Sequence, residues 1–159
     1  MVAWRDFEEA EPELAAFGRD RADGRVCFLG TIRPDGSPRV HPVTPWIAAG
    51  RLFVRMYPTS PKVSDLARDA RYAMHSLMDN DDGEGGEFAL RGRARRVTDP
   101  FELEIANAAR PEPGPERYVV FELGVGEVLT TVYEREDTFR RRWRAPGKVP
   151  GGSARELHR

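Results

Sequence analysis

Residues 59–62, Thr59-Ser60-Pro61-Lys62, bring three side-chain donors to what reads as the start of a helix. Serine is a favoured N-cap and proline suits the first helical position. Val63, Leu66 and Ala67 then give an apolar stripe at i, i+3 and i+4. A helix start presents unpaired backbone N–H groups and the positive end of the helix dipole, which suits an anion. The leading inference is a phosphate held at this corner, with the two preceding strands holding whatever the phosphate is attached to. The plainer alternative is an ordinary cap beside a solvated lysine. His41 is the other polar group of interest, either a donor to a ligand oxygen or, as a lone strand histidine more often is, a structural hydrogen-bonder. No serine or cysteine is placed by spacing to pair with it as a nucleophile.

Other chemistries find less footing. Cys27 is the single cysteine, sits in an apolar run and reads as a core residue; no Cys/His cluster has metal-site spacing. Asp79, Asp81, Asp82 and Glu84 look acidic enough for calcium, but their spacing does not fit a twelve-residue EF-hand loop. Arg91, Arg93, Arg95 and Arg96 read as a solvated basic strand face balanced by acidic neighbours. A net charge of -1 argues against a nucleic-acid binder. No apolar run approaches the ~20 residues of a membrane span, and the acidic N-terminus has no signal-peptide core. The expectation is one cytoplasmic domain over residues 1–159, with no structural metal.

The elements that must position this corner follow from periodicity. Residues 6–17 read as helix with Pro12 kinking or restarting it, and 19–24 as a polar connector. A strand at 25–33 ends in the turn Pro34-Asp35-Gly36-Ser37. The next strand, 38–46, carries Pro42 and Pro45, which donate no ladder hydrogen bond, so it belongs at an edge or a bulge. Strands at 51–57, 71–78 and 87–97 follow, the middle pair separated by the polar loop 79–86. Thr98-Asp99-Pro100 caps a helix to about Arg110, broken at 111–115. Strands at 118–123 and 125–133 come next, 139–144 is one more candidate, and the tail from about residue 146 is expected to be mobile. Six or seven short antiparallel strands with two or three helices point to a mainly β, α+β domain built as a small barrel.

The order of these pieces resembles the pyridoxamine 5'-phosphate oxidase-like flavin-binding split-barrel superfamily. The resemblance rests on residues 33–43 (RPDGSPRVHPV), the Gly50-Arg51-Leu52-Phe53 hairpin and residues 59–69 (TSPKVSDLARD), and it covers about residues 12–133. It implies a six-stranded antiparallel split β-barrel with flanking helices. It also implies a homodimer with flavin mononucleotide (FMN), or a deazaflavin coenzyme, at the subunit interface. On this resemblance Arg39, Val40, His41, Pro42, Val43 and Thr44 would run beside the isoalloxazine ring, with Arg39 also a phosphate ligand. Tyr57, Thr59, Ser60 and Lys62 would close over the ribityl chain and phosphate. Many members have Ser-Arg-Lys where this chain has Ser60-Pro61-Lys62, so one expected phosphate arginine is missing. A lysine point charge does not replace a bidentate guanidinium, but Arg39, Arg55 or a partner-subunit arginine would compensate. Trp46 and Trp143 would stack on the ring or serve core and dimer contacts, and His75 reads as a barrel-wall residue. The implied activity is a flavin-dependent oxidoreductase that passes a hydride between FMN and a small substrate or nicotinamide. The alternatives are a deazaflavin-dependent reductase and a non-catalytic flavin- or haem-binding protein.

Overall fold

Proline decides the first boundary. Pro12 cannot continue a helix but suits the first turn of a new one, so α1 (Trp4–Ala10) stops and α2 (Pro12–Ala22) begins there. The structure is a computed structural model that describes residues 1–110, 117–134 and 137–147. The stretch expected as a polar connector is largely the end of α2. Its Arg21 is buried, donating from both terminal amino groups to Asp79 and from one of them to the Leu77 carbonyl. The expected break at 111–115, and the tail from residue 148 on, lie outside the described residues.

The strands are β1 (Cys27–Ile32), β2 (Pro38–Val43), β3 (Trp46–Ala48), β4 (Arg51–Met56), β5 (Arg71–Ser76), β6 (Glu87–Arg96), β7 (Val119–Glu134) and β8 (Asp137–Arg144). Two further helices interrupt them, α3 (Pro61–Arg68) and α4 (Pro100–Ala108). Every pairing is antiparallel. The order is β2-β1-β5-β6-β7-β4-β3, with β8 joined to β7. The split-barrel class holds, with eight strands rather than six. One source of the difference is the segment read as a single strand at 38–46. It breaks at Thr44-Pro45, so Val43 still pairs with Cys27 while Trp46 pairs with Phe53. β2 then lies at the sheet edge, as its prolines require.

The opposite correction concerns β7. The two strands expected at 118–123 and 125–133 are one 16-residue strand, Val119–Glu134. Its register on β6 steps from Glu127–Arg91 to Val125–Gly92, leaving Gly126 as the extra residue of a bulge. The first half of β7 pairs with β4 and the second half with β8. Glycine is needed at the crossing, because a Cβ on Gly92 would stand 1.9 Å from the Gly124 carbonyl oxygen.

Two apolar clusters result. The larger holds Trp4, Phe7, Leu29, Leu52, Phe88 and Phe121 at its centre, all but fully buried. The smaller sits under α4, around Trp46, Phe53, Val97 and Ala106, where the Trp46 indole N–H donates to the Ala106 carbonyl at 3.0 Å. Arg51 and Arg95 both reach Glu122 and Glu102, tying α4 to the sheet beneath it. Cys27 is buried in the larger cluster, and burial pushes its thiol up to about 11. Among the described residues no helix is long and apolar enough to cross a membrane.

The crossing of β6 and β7 gives a direct test. Gly92→Ala forces a methyl group onto a backbone carbonyl, and overpacking of that kind costs about 1–3 kcal/mol or more. Its thermal midpoint should fall well below that of the wild type, whereas Gly30→Ala, where a Cβ would meet its nearest neighbour at 3.5 Å, should cost less. Equal midpoints for the two variants would show that the strands do not approach this closely.

Candidate functional site

The corner begins with the period-two alternation of β2. Arg39 and His41 turn to one face and Val40 to the other, because successive strand side chains alternate. α3 packs against the first of these faces. The apolar stripe expected through Val63, Leu66 and Ala67 is rotated: Val63 and Leu66 are buried, but Asp65 is the third buried residue and Ala67 is exposed. That rotation brings a carboxylate inward, with Lys62 one turn earlier on the same side of the helix.

Ser60 occupies the N-cap position with extended backbone, but its side chain makes no cap hydrogen bond. Its hydroxyl oxygen instead accepts from the Lys62 ammonium at 3.0 Å, which leaves the Ser60 O–H free to donate. Lys62 is half-buried and has no carboxylate partner among the described residues; burial pulls its pKa below the usual lysine range. Arg39 donates through Nε to Asp65 at 2.8 Å. Asp65 also accepts from the Thr31 hydroxyl at 3.0 Å, and Arg68 lies at 3.5 Å and donates to the Ile32 carbonyl. Burial would raise the Asp65 carboxyl, but the bonds from Thr31 and Arg39 and the Arg39 charge bring it below the usual carboxylate range.

His41 completes the cluster. Its Nε2 is buried and has no hydrogen-bond partner among the described residues. Burial first, then the charges of Lys62 and Arg39, hold its pKa below the usual histidine range, with Asp65 opposing. An orphaned ring nitrogen between two cations, beside a lysine whose only side-chain partner is a hydroxyl, fits an anionic group with oxygen atoms. The donor set of Ser60, Lys62, Arg39 and His41 therefore fits a phosphate.

The other expected site residues are placed as follows. Val40 lies on the outer face of the sheet and lines a groove of about 350 Å³ with Phe28, His75, Ala89 and Leu129. Pro42 and Thr59 are exposed, and Val43 is buried in the larger core cluster. The Thr44 carbonyl accepts from Arg110 at 3.4 Å. Tyr57 stacks on Tyr118, with ring centroids 4.9 Å apart. On β8 it is Arg142 that lines the groove, while Trp143 turns inward and packs on Phe7 at 4.9 Å. Trp46 is a buried core residue. The structure thus gathers Arg39, His41, Ser60 and Lys62 and leaves Val43, Tyr57 and Trp143 in separate contacts. Asp65, Thr31 and Arg68 were not anticipated; the one signal available was an aspartate three residues after Lys62, on the same side of the helix.

The basic strand face is paired much as expected, Arg91 with Glu127 at 2.7 Å and Arg95 with Glu102 and Glu122. Among the described residues no group of three or more His, Cys, Asp and Glu side chains is arranged to hold a metal ion.

Comparison with known proteins adds to this geometry. The family model described as pyridoxamine 5'-phosphate oxidase matches residues 11–132. No curated protein matches. Among solved structures, the chain is similar to a haem-binding protein from Mycobacterium smegmatis, with TM-score 0.60 and 19% identity over 81% of this chain; it spans 56% of that protein's length. It is also similar to an F420 reductase, with TM-score 0.54 and 19% identity, covering 70% of this chain and 94% of the other. The haem storage protein HutZ from Vibrio cholerae superposes with TM-score 0.58 and 16% identity, covering 72% of this chain and 89% of the other. At these identities the likeness is one of fold.

The state of His41 has a consequence for pH. The unfolded chain takes up the imidazole proton near pH ~6.5, the folded chain only at lower pH. Stability is therefore full above that value and falls as pH drops below it. Chemical denaturation at about pH 7.5 and about pH 5.5 should show a smaller acid loss in His41→Gln than in the wild type. Equal losses in the two proteins would show that the fold does not hold this imidazole neutral.

Proposed function

The chain belongs to the pyridoxamine 5'-phosphate oxidase family, and on that premise we propose that it is a flavin-dependent oxidoreductase. FMN bound here supplies hydride transfer to or from a small organic substrate or a nicotinamide. The observation that carries this reading is the Lys62 ammonium, half-buried with the Ser60 hydroxyl as its one hydrogen-bond partner among the described residues, next to the His41 Nε2, which has none among them. An unpaired cation in that setting is costly, and an anion restores the balance.

Each part of the chain has a task in this reading. Ser60 and Lys62 bind the phosphate, with Thr59 beside them in the same turn. Arg39 adds the guanidinium that Pro61 denies the helix start. β2 borders the ring, since an edge strand keeps part of its backbone N–H and C=O groups unpaired. Among its residues, Val40, Pro42 and Thr44 are accessible to a ligand, whereas Val43 supports the strand from the core. Orientation and exclusion of water are the protein's contributions, and no side-chain acid–base pair is required.

A second copy of this chain covers the outer sheet face. Phe28 is 41% exposed and Val40 63% exposed, on two neighbouring strands of that face. Large apolar side chains grouped in this way mark association surfaces. Arg91 and Arg142 gather at Glu127 along the same groove, giving both signs of charge for a self-complementary contact.

The reading is tested by titrating the purified protein with FMN, riboflavin, a deazaflavin coenzyme and haem, followed by absorbance. Saturable FMN binding is expected, weakened in Lys62→Ala by about 1–3 kcal/mol, the scale of a charged hydrogen bond. Binding of the deazaflavin or of haem alone would replace FMN with that group, and unchanged FMN affinity in a folded Lys62→Ala would remove the lysine from the site. Sedimentation should give a dimer for the wild type and a monomer for Val40→Glu; a monomeric wild type at micromolar concentration would overturn the subunit contact.

A further inference from the structure

Asp65 is 2% exposed, and a carboxylate so deeply buried is tolerated only when donors surround it. Its Oδ2 takes both the Thr31 hydroxyl and the Arg39 Nε, while Oδ1 faces Arg68. These bonds span β1, β2 and α3, so a purely structural role would be to lock the helix against the sheet. The manner in which Arg39 is held points further.

Two well-buried guanidiniums of this protein each give two nitrogens to one carboxylate, whereas Arg144, exposed on β8, donates through Nε alone. Arg51 spends Nε and a terminal amino group on Glu122, and Arg21 spends both terminal amino groups on Asp79. Arg39 is gripped through Nε alone, at 2.8 Å. Its two terminal amino groups have no protein acceptor among the described residues, and its side chain is 24% exposed. A single bond at Nε fixes the plane of the guanidinium and leaves the two-pronged end that matches an oxyanion.

The charge count agrees. Arg39, Lys62 and Arg68 are three cations around one carboxylate, with His41 held neutral between them. Asp65 therefore cannot neutralise the corner; it orders one of the cations and leaves a positive excess. An arginine free to rotate would lose side-chain entropy on being immobilised, and a guanidinium held in place beforehand avoids part of that loss.

We infer that Asp65 is a positioning residue: through the Arg39 Nε it aims the terminal amino groups of Arg39 at a phosphomonoester lying beside Lys62. This rests on the reading of the corner as a phosphate site. Asp65 touches no ligand itself, and its effect is confined to the phosphate end.

Riboflavin shares the ring and ribityl chain of FMN and lacks only the phosphate, so the ratio of the two affinities isolates the phosphate end. The wild type should prefer FMN. Asp65→Asn should reduce that preference by about tenfold, the scale of one charged hydrogen bond, with riboflavin affinity unchanged. Arg39→Ala should do the same, and the double variant should lose no more than Arg39→Ala alone, since the two residues act as one unit. Arg39→Lys, which keeps the charge but has neither Nε grip nor fork, carries the test if Asp65→Asn does not fold, and should lose the preference to a similar extent. A wild type that binds FMN and riboflavin equally overturns the phosphate reading, and this inference with it. A wild-type preference for FMN that survives in Asp65→Asn or in Arg39→Lys overturns the positioning role alone.

Discussion

The close passage of Gly92 over Gly124 governs how this sheet is assembled. With no side chain at either position the two backbones approach to a distance at which a Cβ would overlap the opposing carbonyl. The bulge at Gly126 then bends β7, so one continuous strand serves three partners. β6 lies along nearly its whole length on one side, while β4 and β8 share the other. Without the bend β7 would be a straight ribbon, and neither β4 nor β8 would find its place over the aromatic core of Trp4, Phe7 and Phe88.

The far edge of the same sheet obeys a different rule. β2 is proline-rich and pairs only with β1, so its stability depends on what grips its side chains. That grip comes from α3, through a buried carboxylate that draws in Thr31 from β1 and Arg39 from β2. A charge in that position is stable only because three donors meet it. The same donors leave the corner with more positive than negative charge, and its ring nitrogen and lysine remain short of partners. On the proposed reading, local packing and affinity for an anion come from one arrangement of residues.

Arginine is used in two ways across the molecule. Along β4, β6 and β8 it is consumed in pairs and small networks with Glu102, Glu122 and Glu127, which fasten α4 and β8 to the sheet. The pairs made by the exposed guanidiniums of Arg91, Arg142 and Arg144 contribute little each, and their value lies in connection rather than in strength. At the corner the guanidinium is only half used. On the proposed reading Arg39 differs from Arg51 in keeping both terminal amino groups for a ligand, where Arg51 gives Nε and a terminal amino group to Glu122.

Much of this was legible in the sequence. Period-two alternation marked β4 and β6, the prolines marked β2 as an edge, and Ser60-Pro61-Lys62 marked the start of α3, because these are local rules that act within a few residues. The motif order over residues 33–69 pointed to the family. The division of β7 at Gly124 was a misreading, because glycine signals a turn and a bulge alike, and only the facing Gly92 distinguishes them. Asp65 was missed for a related reason. Its burial depends on how α3 rotates against β1 and β2, a choice made by contacts more than twenty residues away in the chain. By itself the sequence determined the element types, the edge strand and the donor residues at residues 59–62. The tertiary structure decided which side of α3 turns inward and therefore that Asp65 meets Arg39, because burial of a charge is settled only when its distant partners arrive.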